Sequence, residues 1–228
     1  MDKERNSDCW YREVCDQECS ATCIRYTEMK HLMDTSGIPK VMQMPTLLDA
    51  GEDYKAFCRL AEIKDDAVWL ISRGKNIYIT SRYPGNGKTS WAIKLMLKYF
   101  DGVWAGNGLR TRGLFVHVPT FLLKMKNFNE PLSEEYKQNL LDCDVVIWDD
   151  IAGVGISQYD YSQLLMYIDN RILSGKSNIY TSNVENQEEL IEILGNKLAS
   201  RIYRTAEVIT FRGKDRRGLS NGTATDNQ

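Results

Sequence analysis

The chain has 228 residues, 43% of them hydrophobic and 26% charged, with a formal net charge of −2. That size and apolar share suit one ordinary domain with a true core plus a small appendage. No run of about 18 apolar residues is present to cross a bilayer, and the overall charge does not by itself announce a nucleic-acid partner.

The charged start Met1-Asp2-Lys3-Glu4-Arg5 lacks the apolar follow-on of a signal peptide, so a cytoplasmic setting is expected, where disulfides are rare. Four of the six cysteines, Cys9, Cys15, Cys19 and Cys23, crowd the first 23 residues, and His31 follows. In a reducing compartment such crowding points to metal before disulfide. Four ligands drawn from these five would suit tetrahedral Zn²⁺, whose binding would supply folding energy that so short a segment cannot draw from a core. The spacing departs from common fingers: Cys15, Cys19 and Cys23 fall at i, i+4, i+8, on one face of a helix. Free reduced thiols and an iron–sulfur cluster stand as the alternatives. Ser36-Gly37-Ile38-Pro39 and Pro45 break the pattern, so residues 36–46 read as a linker. From Leu47 to Lys75 the reading is helical, with Tyr54, Phe57, Cys58 and Ala61 on one apolar stripe and Val68, Trp69 and Ile71 starting another.

Asn76-Ile77-Tyr78-Ile79-Thr80 is strand-like, and Pro84, Gly85, Asn86, Gly87, Lys88, Thr89 and Ser90 follow it as a phosphate-binding loop. Its glycines let backbone N–H groups turn toward a phosphate, Lys88 reaches the outer phosphates, and the Thr89 hydroxyl sits on Mg²⁺. Ala92, Leu95, Met96 and Tyr99 then repeat at helical spacing, so a helix opens at the loop with its positive end toward the anion. Arg82 stands where the first glycine of the motif is usual, which alters the entry to the loop and leaves the Gly-x-Gly-Lys-Thr core intact. The bland reading of this piece alone is a glycine-rich turn that binds nothing. The stripes before it would cover the base side of the site, as core packing rather than as a base-specific box.

Gly113 to Val118 is a second strand, with His117 read mid-strand as a partly buried, satisfied histidine. Pro119 opens a helix to about Lys126, a loop covers Asn127 to Leu132, and Ser133 starts a helix through Leu141 with Glu134 and Glu135 at its positive end. The apolar run Val145-Val146-Ile147-Trp148 ends in Asp149 and Asp150, the Walker B arrangement of a buried strand with acids at its carboxyl end. Asp149 would hold Mg²⁺ through water, and Asp150 would polarise the water that attacks the γ-phosphate. Downstream of a phosphate loop in a strand–helix alternation, the pair makes ATP with Mg²⁺ the expected ligand. A helix through Tyr161, Leu164, Leu165, Ile168 and Ile172 ends before Gly175, and a short strand from Ser177 brings the Asn183 amide toward the γ-phosphate. Helices over Gln187–Leu194 and Lys197–Tyr203 and a strand over Glu207–Phe211 complete the pattern. Lys197, Arg201, Arg204, Arg212, Lys214, Arg216 and Arg217 make a locally basic end, fit for phosphates or simply a solvated face. Residues 218–228 are polar and expected to be disordered.

In order and content these pieces resemble the DnaC/DnaI-type helicase loaders, AAA+ ATPases of bacteria and of phages. The matching motifs are Pro84–Ser90, Val145–Asp150, Ile179-Tyr180-Thr181-Ser182-Asn183 in the place of sensor 1, and Leu198-Ala199-Ser200-Arg201-Ile202 in the place of the box carrying an arginine finger. Trp104-Ala105-Gly106-Asn107 and the run from Phe115 to Leu123 look like phage or prophage members. The resemblance implies an α/β fold, an AAA+ P-loop ATPase core with a central parallel sheet flanked by helices, preceded by a small cysteine-rich domain. It divides the chain into a zinc-binding, helicase-interacting segment with linker at 1–45, an ATPase domain at 46–217 and a tail at 218–228. It implies a homo-oligomer in the bacterial cytoplasm in which Arg201, or else Arg204 or Arg171, completes a neighbour's site. A replicative DnaB-type helicase and single-stranded DNA are the implied partners in the primosome. DNA would lie along residues 101–126, with Lys124, Lys126 and Arg110 or Arg112 on phosphates and Phe121 stacking. Asp-Asp in place of Asp-Glu shortens the reach to the lytic water and implies slow turnover. An IstB-type transposition helper and a non-hydrolysing, ATP-gated DNA-binding adaptor are the other readings; a small-molecule kinase has no use for the sensor and finger segments.

Overall fold

Five short runs built mainly of β-branched, aromatic and small side chains become the strands β1 (Asn76–Ser81), β2 (Gly113–His117), β3 (Val145–Asp149), β4 (Ser177–Ser182) and β5 (Ala206–Phe211). The structure is a computed structural model, and it describes residues 9–12, 14–17, 19–20, 22–44, 48–103, 110–127, 131–153 and 155–214. The expected tail, Arg216, Arg217, Pro45 and the Trp104–Asn107 piece lie outside the described residues. The strands pair in parallel in the order β2-β3-β4-β1-β5. Every residue of β1, β3 and β4 is buried, as a parallel sheet covered on both faces requires.

Side chains alternate across a strand, so each strand feeds two cores. Nine α-helices flank the sheet among the described residues, the first three ahead of β1: α1 (Ile24–Ser36), α2 (Tyr54–Asp65), α3 (Ala67–Ser72), α4 (Lys88–Val103), α5 (Val118–Met125), α6 (Glu134–Asp142), α7 (Gln158–Leu173), α8 (Gln187–Leu194) and α9 (Asn196–Thr205). On one face Ile77, Ile79, Val145, Ile147 and Ile179 pack with Met29 and Leu32 of α1, Leu60 of α2, Ile71 of α3 and Leu95 and Met96 of α4. On the other, Tyr78, Val146, Trp148 and Tyr180 pack with Phe121, Leu140, Leu164, Leu190 and Leu198 from α5 to α9. Helix starts follow the expected capping chemistry: Ser133 accepts the Tyr136 N–H, Asn186 accepts the Glu189 N–H, and Ser157 with Asp160 forms a capping box.

The amino-terminal third differs from the sequence reading. A helix, α1, ends where a linker is expected to begin, and Gly37 closes it in the left-handed conformation at φ 72°. The helical stretch over 47–75 is two helices that meet at Asp66. α1 shares its core with α4, and Arg25 ties it to Asp101 at the end of α4 with a 3.2 Å ion pair.

The zinc reading finds no support among the described residues. Helix α1 begins only after Cys23, so Cys15, Cys19 and Cys23 never form the i, i+4, i+8 comb. Cys9 and Cys15 pack against the apolar core and Cys19 is exposed; among the described residues no three His, Cys, Asp or Glu side chains gather as a metal site would need, these four thiols and His31 included.

Candidate functional site

The carboxyl ends of β1, β3 and β4 bring the sequence-derived candidates to one edge of the sheet, the edge where open α/β sheets place ligands. After β1 the chain turns through Gly85 and Gly87, both at positive φ (71° and 98°), where a side chain is strained. Leu48, from the segment before α2, lies over Gly87, and a Cβ there would come within 3.3 Å of Leu48 Cδ1. The loop is braced by its own polar atoms. Ser81 Oγ accepts the Tyr83 N–H at 3.0 Å and Asn86 Nδ2–H at 2.6 Å. Asn86, 1% exposed, also donates to the Gly213 carbonyl at 3.1 Å, and the Asp53 carboxylate holds the Arg212 and Gly213 amides. The chain leaving β5 is therefore fastened against the loop, a contact no local pattern announces.

Lys88 opens α4 and is buried. Its ammonium donates to the Tyr83 carbonyl at 2.9 Å and to Asn86 Oδ1 at 3.2 Å. Thr89 Oγ1 donates to Asp149 Oδ1 at 2.7 Å, a charge-assisted bond worth about 1.5–3 kcal/mol. Thr181 Oγ1 of β4 donates to the same oxygen, also at 2.7 Å. Lys88, Thr89 and Asp149 thus come together, and Thr181 joins them although the sequence reading gave it no role.

Asp150 ends the strand in a left-handed turn at φ 57°, a conformation that costs an L-residue about 1–2 kcal/mol. Its N–H donates to Thr181 Oγ1 at 3.0 Å, and the Ile151 N–H donates to the Thr181 carbonyl at 3.0 Å. Its carboxylate lies over Gly153, where a Cβ would stand 1.9 Å from Oδ2. Asn183 Nδ2 approaches Asp150 Oδ1 at 3.5 Å. Burial, then the charge of Asp149, push the Asp150 carboxyl above the usual carboxylate range, while His117 and Lys88 act the other way. His117 is not a mid-strand, half-buried residue: it is exposed at the end of β2, in register with Asp149, with Nδ1 2.8 Å from Thr120 Oγ1.

Other candidates separate. Arg201 on α9 is exposed and pairs with Asp169 of α7, Nε to Oδ1 at 2.5 Å. Arg204 is exposed on the same helix. Arg171 is excluded as a finger, because it is fully buried and its guanidinium serves the carbonyls of Leu140 (2.8 Å), Cys143 (3.0 Å) and Ser177 (2.7 Å) and Asn178 Oδ1 (2.9 Å). The DNA-facing set is thinned as well. Arg112 is buried against Asp144 at 2.8 Å, Lys126 pairs with Asp160 at 2.7 Å, and Phe121 is core, edge-on to Trp148 and Tyr167. Lys124 and Arg110 remain exposed.

The sheet order, the loop after β1 and the acids after β3 make this an AAA+ P-loop ATPase fold. No protein-family model matches the sequence, and no curated protein matches it. Solved structures with the same fold include a DnaC helicase loader (TM-score 0.61, 17% identity, 79% of this chain and 98% of that one). DnaI is also similar (TM-score 0.62, 17% identity, 77% and 95% covered), as is AMPPCP-bound DnaA from Aquifex aeolicus (TM-score 0.51, 18% identity, 67% and 45% covered). Among the described residues no helix is long and apolar enough to cross a membrane.

Proposed function

We propose that this chain binds ATP and Mg²⁺ between the Lys88 loop and the acids of β3, hydrolyses the nucleotide slowly, and uses the cycle to deliver a replicative, DnaB-type ring helicase onto single-stranded DNA. The observation that carries the proposal is the 2.7 Å bond from Thr89 to Asp149 beside a buried Lys88, at the carboxyl edge of a fold shared with a DnaC helicase loader. A DnaA structure of the same fold holds AMPPCP, which supports a nucleoside triphosphate as the ligand.

A hydroxyl and a carboxylate in contact are a hard-oxygen donor set, and they fit Mg²⁺. When bound there, the cation would offset the negative charge that develops on the phosphate. The remaining work belongs to the chain. Lys88 exchanges the Tyr83 and Asn86 oxygens for phosphate oxygens, and the N–H groups opening α4 face the same anion. Asp150 orients the attacking water and takes its proton, and Asn183 steadies that arrangement from β4. Arg201 from a neighbouring copy meets the charge that builds at the γ-phosphate. An aspartate in Asp150's place, one methylene shorter than glutamate and held toward protonation, supports slow turnover.

Residues 1–45 are proposed to meet the helicase while resting on the ATPase core through α1. Exposed Val14, Ile24, Val41, Met42 and Met44 support that role, since large apolar side chains left in water favour a partner. Exposed Lys197, Arg204, Arg212 and Lys214 support a path for the DNA backbone.

The test combines equilibrium nucleotide binding with capture of the host ring helicase by the full-length chain. Lys88→Ala is expected to abolish nucleotide binding, and Val41→Asp with Met44→Asp to abolish capture while leaving nucleotide affinity intact. Unchanged affinity in Lys88→Ala would remove the proposal at its base. Helicase delivery undiminished in Asp150→Asn would convert the enzyme into an ATP-gated adaptor.

A further inference from the structure

We infer that Thr181 is a positioning residue for both strand-end carboxylates, setting how Asp149 meets the cation and how Asp150 meets the attacking water; the inference rests on the nucleotide-site reading above. Thr181 lies on β4 between β3 and β1 and is 2% exposed. Its single hydroxyl is used twice: it donates to Asp149 Oδ1 at 2.7 Å and accepts the Asp150 N–H at 3.0 Å. One proton and two lone pairs allow both bonds at once. Its backbone carbonyl adds a third contact by accepting the Ile151 N–H at 3.0 Å.

Each bond has a separate consequence. Thr89 and Thr181 converge on Oδ1 of Asp149, which leaves Oδ2 for the cation or its water. The bonds to the Asp150 and Ile151 amides hold the left-handed turn that aims the Asp150 carboxylate over Gly153. A β-branched side chain has restricted χ1 freedom, so the hydroxyl is held where both partners need it. Valine has nearly the same shape and meets any packing requirement, yet can make neither side-chain bond. The substitution therefore separates positioning from packing.

The experiment uses full-length Thr181→Val, Thr181→Ser and Lys88→Ala, with a fluorescent ATP analogue titrated at a series of Mg²⁺ concentrations and hydrolysis followed in parallel. Thr181→Val is expected to keep its affinity for the metal-free nucleotide but to need about tenfold more Mg²⁺, with kcat down about tenfold or more and KM little changed, the size typical when a group that orients a metal ligand is lost. Thr181→Ser is expected to restore both. Should the valine variant not fold, Thr181→Cys carries the same expectation, because a thiol is a weak donor. A wild-type Mg²⁺ requirement and kcat in the valine variant, alongside lost binding in Lys88→Ala, would overturn the inference alone. Unchanged nucleotide affinity in Lys88→Ala would instead overturn the site on which it rests.

Discussion

At the scale of single residues, Asp150 concentrates the cost of the site: a left-handed backbone, partial burial and a charged neighbour at Asp149. A carboxyl raised in the folded state means the native protein holds that proton more tightly than the unfolded chain does. The ionised form therefore subtracts stability above the folded-state value, and the penalty fades as pH falls through that value toward the unfolded one. Asp150→Asn removes the charge and places a residue that tolerates φ > 0. Urea denaturation should find it more stable than the wild type at about pH 8, with the gap closing toward about pH 4. An equal gap at both would mean that the turn, not the charge, carries the penalty. Hydrolysis should be lost at every pH, while wild-type hydrolysis should rise with pH through a value above the usual carboxylate range. Gly153 offers a second handle. A methyl group there would stand 1.9 Å from Asp150 Oδ2, so Gly153→Ala must displace the carboxylate. Steady-state kinetics should show kcat falling with nucleotide affinity retained.

At the scale of elements, what could be read from sequence was what lies close along the chain. The phosphate loop, the strand ending in two acids and the β1–β5 periodicities are all contained in windows of a few residues. Contacts between distant segments were invisible. Arg171 looks like a basic residue suited to the last turn of α7, yet the acceptors that fix it come from the end of α6, the α6–β3 connection and β4. His117 was misplaced because α5 starts one residue before Pro119, which puts the histidine at a strand end facing the acids rather than inside the sheet. The cysteine spacing reads as helical, whereas helix α1 starts only at Ile24. Thr181 was legible only as part of the segment in the place of sensor 1, where the role was given to Asn183; its bonds to the strand-end acids come from the pairing of β3 with β4. Arg171 supplies the test at this scale. Arg171→Ala strands several buried carbonyls, each costing about 1–3 kcal/mol if it finds no other donor. Loss of that set should lower unfolding free energy by about 3–5 kcal/mol, measured by chemical denaturation, with Arg171→Lys recovering only part because an ammonium lacks the planar fork. A change below about 1 kcal/mol would show that water replaces the guanidinium.

At the scale of the whole molecule, the proposed hydrolysis calls for positive charge at the γ-phosphate. Arg201 sits on the exposed face of α9 and pairs with Asp169, both side chains partly in water. Such a surface pair is worth about 0–1 kcal/mol, too little to keep the guanidinium from a phosphate presented by another copy. If copies assemble side by side, each site borrows its arginine, and two differently broken chains can repair one another. Lys88→Ala keeps Arg201 but has no working site; Arg201→Ala keeps the site but offers no finger. Each alone should hydrolyse ATP far more slowly than wild type, since an arginine finger is worth about 10³–10⁵ in rate. Mixed, they should recover a substantial fraction of wild-type activity, because an Arg201→Ala site can face a Lys88→Ala neighbour. A mixture no faster than the mean of its parts, with assembly confirmed by sedimentation, would take the finger away from Arg201. The same pairing with Arg204→Ala would then show whether the arginine one turn further along α9 supplies the charge.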